Sequence, residues 1–155
     1  MNHTKTKEQK IVEMIDEHGT VMFVTHNEET GLVSRPMTTQ NPQFDGDVWF
    51  FVSDDAELID DIERNNEVNL AYQQAGNFVS ISGTASMVDD TEKKKELWYP
   101  ELKKWFDGAG PDSPKVKLIK VSATTAHYWT GPNGRFDDDS ENDGGSPVEH
   151  GTINY

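Results

Sequence analysis

The most unusual polar residues of the sequence lie in the tetrapeptide Ser34–Met37, which reads SRPM inside a run of strand-forming residues. Arg35 is one of three arginines, against eleven lysines. Because Pro36 cannot donate a hydrogen bond to a neighbouring strand, the motif exposes backbone groups and a guanidinium at one point. Such an arrangement suits a phosphate or a planar heterocycle. A strand arginine is also commonly a solvated surface residue, so local sequence leaves both interpretations open.

Other reactive residue types form no recognisable catalytic pattern. The chain has no cysteine, which excludes disulfides, thiolate metal sites and a thiol nucleophile. It contains no HExxH, GxSxG, GKS/T or GxGxxG motif. Asp54 and Asp55 are more typical of a helix start than of a magnesium site. None of the five histidines stands at metal-ligand spacing from another: His3, His18, His26, His127 and His150. We therefore expect no metal site and assign no catalytic residue.

Charge limits the partners of the protein. The 155 residues include 28 acidic and 14 basic side chains, for a formal net charge of −14. A surface this acidic repels phosphate backbones, so nucleic acid and anionic membranes are not expected partners. No apolar window approaches the roughly 18 residues of a membrane span, and no apolar leader segment opens the sequence. These features predict a single-domain, soluble, cytoplasmic protein.

Hydrophobic periodicity predicts a mainly β fold with flanking helices. Helical patterns cover residues 7–17, 54–66 and 91–110. Strand patterns cover 20–26, 32–40, 48–53, 67–74, 77–90 and 116–130, the last as one or two strands. At least six short antiparallel strands in so small a chain favour a barrel, since closure removes exposed edges. We predict a folded domain over residues 1–132 and an acidic C-terminal tail, loop or disordered segment over 133–155.

Five stretches of the sequence together resemble the pyridoxamine 5′-phosphate oxidase-like FMN-binding split barrels, in particular their general stress protein branch. They are SRPM (34–37), VWFFVSDDAELIDDIERNNEVNLAY (48–72), FVSISGTASMVDD (78–90), ELWYPELKKWF (96–106) and VKLIKVSATTAHYWTGP (116–132). The resemblance implies a six-stranded antiparallel split barrel over residues 1–132. It also implies a homodimer that holds one FMN in each of two interface clefts.

The resemblance also implies positions for the cofactor. The SRPM motif would line the isoalloxazine ring, and the next strand would follow the ring and the ribityl chain. Gln73 would reach the ring edge, and Trp105 would come from the second subunit. The expected cofactor-binding residues are Ser34, Arg35, Pro36, Met37, Phe51, Val52, Ser53, Leu58, Gln73 and Trp105.

The phosphate end departs from the family pattern. Many relatives have Ser-x-Lys where this chain reads Ala56, Glu57 and Leu58. The start of the helix would still approach the phosphate, because helix N-termini favour anions. Losing one charge-assisted contact costs about 1.5–3 kcal/mol. We therefore expect FMN to be held weakly.

Two classes of function follow from the resemblance. One is an FMN-dependent oxidoreductase that a nicotinamide reduces and that acts on a small acceptor. The alternative is a non-catalytic protein that binds or sequesters flavin, or a dimeric interaction protein without flavin. The true oxidase binds pyridoxal phosphate with a set of arginines and a histidine. We find no counterpart of this set in the present sequence, which contains three arginines in all. Pyridoxamine 5′-phosphate oxidase activity is therefore not expected.

Overall fold

Seven antiparallel strands form one sheet in the computed structural model, which describes residues 6, 9, 11–13, 19–40, 45–74, 76–130 and 149–155. The strands are β1 (Thr20–Asn27), β2 (Gly31–Thr38), β3 (Asp47–Ser53), β4 (Glu67–Gln74), β5 (Asn77–Val88), β6 (Val116–Thr130) and β7 (Glu149–Asn154). After the helical residues 9 and 11–13, the described helices are α1 (Glu57–Arg64), α2 (Thr91–Leu97) and a 3₁₀ helix (Pro100–Phe106). In the described part of the chain, no helix has the length and apolar character needed to cross a membrane.

The sheet is a split barrel rather than a closed one. Its strand order is β2-β1-β4-β5-β6-β3, and β7 also pairs with β6. The end strands β2 and β3 share no ladder, but the Gln40 N–H donates to the Trp49 carbonyl over 2.9 Å. We call the gap between β2 and β3 the seam. The predicted fold class, mainly β with an antiparallel split barrel, is confirmed.

Two apolar clusters lie on opposite sides of β3. Phe50 belongs to the main core inside the sheet, where its ring meets Phe23 edge-on at 5.0 Å between centroids. Phe51 faces the other way and packs in a second cluster with Leu97 and Leu102, below α2 and the 3₁₀ helix. Since alternate strand residues face opposite sides, burial of both sides explains the nearly continuous apolar run of this strand.

The element boundaries largely match the predicted pattern. The β1–β2 hairpin runs in register from Thr20 opposite Thr38 to Asn27 opposite Gly31. Helix α1 begins at Glu57, later than predicted, because Asp54 and Asp55 form a turn in which the Asp54 N–H donates to the Lys115 carbonyl. Within residues 91–110 there are two short helices, separated at 98–99, and the second begins at Pro100, a residue that suits the first position of a helix. Of the predicted helix 7–17, residues 9 and 11–13 are helical, and the remainder lies outside the described residues.

The C-terminal segment corrects one expectation. Residues 149–154 are part of the predicted tail or loop, yet they form strand β7, paired with Thr125–Thr130 of β6. This pairing is possible because β3 pairs with residues 116–122 of β6 only, which leaves the backbone groups of residues 125–130 on the same edge for β7. It also needs Gly151, since a Cβ there would lie 2.2 Å from the Tyr128 ring. The acidic run 137–145 lies outside the described residues.

Candidate functional site

A cleft of about 510 Å³ opens at the seam, between β2 and the 3₁₀ helix. Its lining is polar-neutral, apolar or aromatic, and none of the described lining residues carries a charged side chain. They are Thr20, Pro36, Met37, Thr38, Gln40, Phe51, Tyr99, Leu102, Trp105 and Phe106. Pockets of this size and character are typical of small-molecule sites.

The first wall of the cleft is the free edge of β2. This strand pairs with β1 alone and so ends the sheet. A proline is tolerated on an edge strand, which accounts for Pro36 in an otherwise regular hairpin. Pro36 is exposed and the next residue, Met37, is half-buried against the main core. This wall is therefore short and uncharged, and Met37 holds it against the main core.

The second wall is aromatic and comes from β3 and the 3₁₀ helix. Phe51 is nearly buried and meets the Trp98 ring edge-on at 5.3 Å between centroids. Trp98 in turn lies 5.9 Å from the ring of Phe106. Leu102, 4% exposed, fixes the same helix to the second cluster. Trp105 projects from this rigid base and is 80% exposed, so its indole face is available to a ligand.

Four of the ten predicted cofactor-binding residues line this cleft: Pro36, Met37, Phe51 and Trp105. The resemblance assigns Trp105 to the second subunit. Within the single chain, the 3₁₀ helix places Trp105 on the same cleft as Phe51, because Leu102 packs on the cluster beneath β3. That Trp105 reaches the cleft of a second subunit stays a prediction. Ser34 and Gln73 are exposed on β2 and β4 and are not lining residues. Whether any of the ten contacts a cofactor stays a prediction.

Arg35 points away from the cleft. It pairs across the hairpin with the core residue Phe23, and its Nη1 donates to the Phe23 carbonyl over 3.3 Å. Its Nη2 lies 3.5 Å from Oδ2 of Asp61, whose side chain is fully buried. Because Arg35 and Pro36 are adjacent in a strand, their side chains face opposite sides. The guanidinium thus stabilises the junction between the hairpin and α1.

Asp61 is the residue that sequence reasoning missed. It accepts hydrogen bonds from Thr25 Oγ1 at 2.8 Å and from Asn27 Nδ2 at 3.1 Å. Buried carboxylates require partners of this kind. The signal was present, since Asp61 stands three residues after Leu58 and directly before Ile62 on the buried face of α1.

At the carboxyl end of β3, three further predicted residues have other contacts. Val52 and Leu58 are buried in the main core at 5% exposure each. The Ser53 hydroxyl donates to Oδ1 of Asp55 over 2.6 Å. Leu58 therefore fills core space, and its place beside a cofactor phosphate stays a prediction.

The pairing of β6 with β7 joins two histidines that are far apart in sequence. Nε2 of His150 lies 3.5 Å from Nδ1 of His127, which also contacts the Thr152 hydroxyl at 3.0 Å. Trp129 stacks on His150 with centroids 5.1 Å apart. These residues do not line the cleft, and no group of three metal-ligating side chains occurs among the described residues.

Comparison with known proteins gives a consistent assignment. A family model described as pyridoxamine 5′-phosphate oxidase like matches residues 6–138. The protein bli-3 of Neurospora crassa is 34% identical in an alignment of length 118 that covers 69% of this chain and 56% of that protein. The chain thus spans little more than half the length of this curated relative.

Solved structures share the fold. The general stress FMN/FAD binding protein of Xanthomonas citri superposes with a TM-score of 0.70 at 30% identity, covering 81% of this chain and 90% of that one. General stress protein 26 of Bacillus anthracis superposes with a TM-score of 0.67 at 21% identity, covering 79% and 94%. The second likeness supports the fold alone.

Proposed function

Because the chain belongs to the pyridoxamine 5′-phosphate oxidase-like family, we propose that its seam cleft binds a flavin, with FMN as the cofactor. The observation that carries this proposal is the cleft itself. About 510 Å³ of uncharged space lies between the β2 edge and an aromatic wall. A planar, largely apolar ring system is the ligand that such walls accommodate best.

The relatives support the choice of ligand. The Xanthomonas citri protein, 30% identical to this chain, is named for FMN and FAD binding. In the present chain the ring would lie between Pro36 and Met37 on one side and Phe51 and Trp105 on the other. A bound flavin supplies electron transfer, while the protein contributes position and electrostatics.

The chemistry of the cleft favours binding over proton-transfer catalysis. Tyr99 is the one ionisable side chain among its described lining residues. General acid–base catalysis needs a titratable group within hydrogen-bonding reach of the substrate. We therefore place a flavin-binding or flavin-sequestering role first. An FMN-dependent oxidoreductase remains the alternative, since hydride uptake from a nicotinamide needs no such group.

Visible spectroscopy tests the proposal. Purified protein loaded with FMN and passed through a desalting column should retain a flavin band that is shifted from that of free FMN. Loss of all flavin at micromolar protein, with riboflavin and FAD lost as well, would refute flavin binding. If flavin is retained, anaerobic bleaching by NADH or NADPH identifies an oxidoreductase, and its absence identifies a binding protein.

A homodimer is the second part of the proposal. Alternation places 15 side chains of β1, β2, β4 and the start of β5 on the outside of the sheet, and we call them the outer face. They are Thr20, Met22, Val24, His26, Leu32, Ser34, Pro36, Thr38, Glu67, Asn69, Ala71, Gln73, Phe78, Ser80 and Ser82. Glu67 is the only acidic residue among them, and none of them is a lysine or an arginine.

The outer face is the surface through which two such acidic chains could approach. The chain carries a net charge of −14, and like charges across an interface oppose association. Three large apolar side chains are exposed there: Met22 at 39%, Leu32 at 68% and Phe78 at 42%. Exposed apolar groups within a neutral patch mark interaction sites.

A cytoplasmic location stays a prediction from the sequence.

A further inference from the structure

The carboxyl end of β3 leads from the cleft into a group of acids. Phe51 is the last cleft residue on this strand, and Ser53 is the next residue that faces the same side. Asp54 and Asp55 follow directly, and Glu57 begins α1. All three acids are exposed. A charged substituent extending from a ring in the cleft along β3 therefore meets carboxylates first.

The Ser53 hydroxyl, the side-chain donor nearest to the cleft at this end of β3, is already engaged. It donates to Asp55 over 2.6 Å. Ala56 has no side chain that could donate to a phosphate or cap α1, so backbone N–H groups of the first turn stay available. The same turn, however, carries its own acids, Glu57 and Asp60. Acids at this position complement the positive end of the helix. They leave less attraction for a further anion.

The nearby cations are not among the lining residues of the cleft. Lys117 pairs with Val52, so it lies on the core side of β3, opposite to Phe51. Lys115 is exposed and contacts the turn through its backbone carbonyl, which accepts from Asp54. Arg35 is paired with buried Asp61. Within the described residues, no cationic side chain lines the cleft.

From this distribution we infer that the cleft holds flavin by its ring alone, and that it binds neutral riboflavin at least as tightly as phosphorylated FMN. The inference rests on the proposed flavin site and specifies its ligand class. A dianionic phosphate beside Asp54, Asp55 and Glu57 meets three carboxylates, against one exposed lysine of the adjoining turn, Lys115. The uncharged ring contacts are the same for both flavins.

Titration of the full chain with riboflavin and with FMN, followed by flavin fluorescence, tests the inference. At 0.1 M salt the dissociation constant for riboflavin should equal or be smaller than that for FMN. Raising the salt to 1 M shortens the screening length from about 10 Å to about 3 Å. The FMN affinity should then rise relative to that of riboflavin. The ratio of the two constants is the readout, so a salt effect on folding cancels.

Asp55→Asn provides a matched variant, because the amide oxygen can still accept from Ser53. It should tighten FMN binding about two- to fivefold, the effect of one exposed charge, and leave riboflavin binding unchanged. Glu29→Gln removes the same charge in the β1–β2 turn, at the opposite end of the hairpin from Thr20 and Thr38. It should alter neither constant.

The outcomes separate the two proposals. FMN that binds at least tenfold more tightly than riboflavin, and weakens as salt rises, overturns the ring-only inference while flavin binding stands. Failure of both flavins to bind overturns the flavin site and the inference with it. Equal or tighter riboflavin binding, together with a gain in FMN affinity at high salt, supports both.

Discussion

The guanidinium of Arg35 lies 3.5 Å from the carboxylate of Asp61, which is fully buried on the inner face of helix α1. Asp61 also accepts from Thr25 and Asn27, so one side chain joins β1, β2 and α1. The arginine that looked most suited to a ligand is thus part of the framework, on the side of β2 opposite to Pro36. We therefore expect Arg35 to affect the proposed flavin site only through the position of the strand.

Arg35→Ala should destabilise the flavin-free protein. Removing one partner of a buried ion pair costs about 3–5 kcal/mol, and we expect about 1–3 kcal/mol here because Arg35 is 23% exposed and other donors remain. Urea unfolding of the apo protein measures the change. Arg64→Ala is the control, since Arg64 is 49% exposed and 3.8 Å from Asp61. An Arg35→Ala protein of unchanged stability with impaired flavin binding would restore the direct ligand role.

Trp105→Ala should weaken flavin binding without destabilising the fold. At 80% exposure its indole contributes little to the core, whereas aromatic stacking on a planar base is worth about 1–3 kcal/mol. Flavin titration should show a loss of roughly tenfold or more, with the melting temperature of the apo protein unchanged. Trp129→Ala removes a tryptophan from β6, away from the cleft. Equal flavin affinity in the Trp105 variant and the wild type would contradict the proposed wall.

Gly83→Ala should lower stability sharply. The β5–β6 register shifts between Ser82 and Gly83, and an added Cβ would lie 2.2 Å from the backbone carbonyl oxygen of Ser122. Backbone cannot move aside as a flexible side chain does, so we expect a cost at or above the 1–3 kcal/mol typical of overpacking, about 3 kcal/mol. Gly110→Ala is the matched control because its added Cβ meets nothing within 4 Å. Similar melting temperatures for both variants would refute the close approach.

Leu32→Glu should dissociate the proposed homodimer. Leu32 is 68% exposed on the outer face, so an acid there costs the folded monomer little but places like charges across the interface. Light scattering after gel filtration should change from dimer to monomer mass. Glu29→Gln, in the adjacent turn, should leave the mass unchanged. A wild-type protein that is already monomeric at micromolar concentration would exclude the dimer.

Much of the fold could be predicted from the sequence because its hydrophobic and turn patterns are local. Alternation in β1 and β5, the polar turn between β1 and β2, and the apolar run of β3 each depend on neighbouring residues. The seam was not readable from these patterns alone, since it depends on β3 pairing with β6 rather than with β2. Pro36 was the available sign that β2 is an edge strand.

Contacts between distant residues set the limit of the sequence interpretation. The inward direction of Arg35 follows from its register opposite Phe23, which the hairpin turn alone did not specify. Strand β7 depends on Gly151 passing over Tyr128, a fit that composition cannot reveal in a polar segment. The aromatic wall was easier to predict, because the resemblance already included the stretch from Leu97 to Phe106.

The strand order also determines when the cleft can exist during folding. β3 is the third strand in the chain, yet in the part of the chain that the structure describes its only ladder is with β6, the sixth. Phe51 is therefore fixed in place only after most of the chain has been made and a long loop has closed, which is a slow step in β proteins. A flavin therefore cannot assist the early stages of folding, because its binding site has not yet formed. Its binding should instead slow unfolding and leave the refolding rate nearly unchanged.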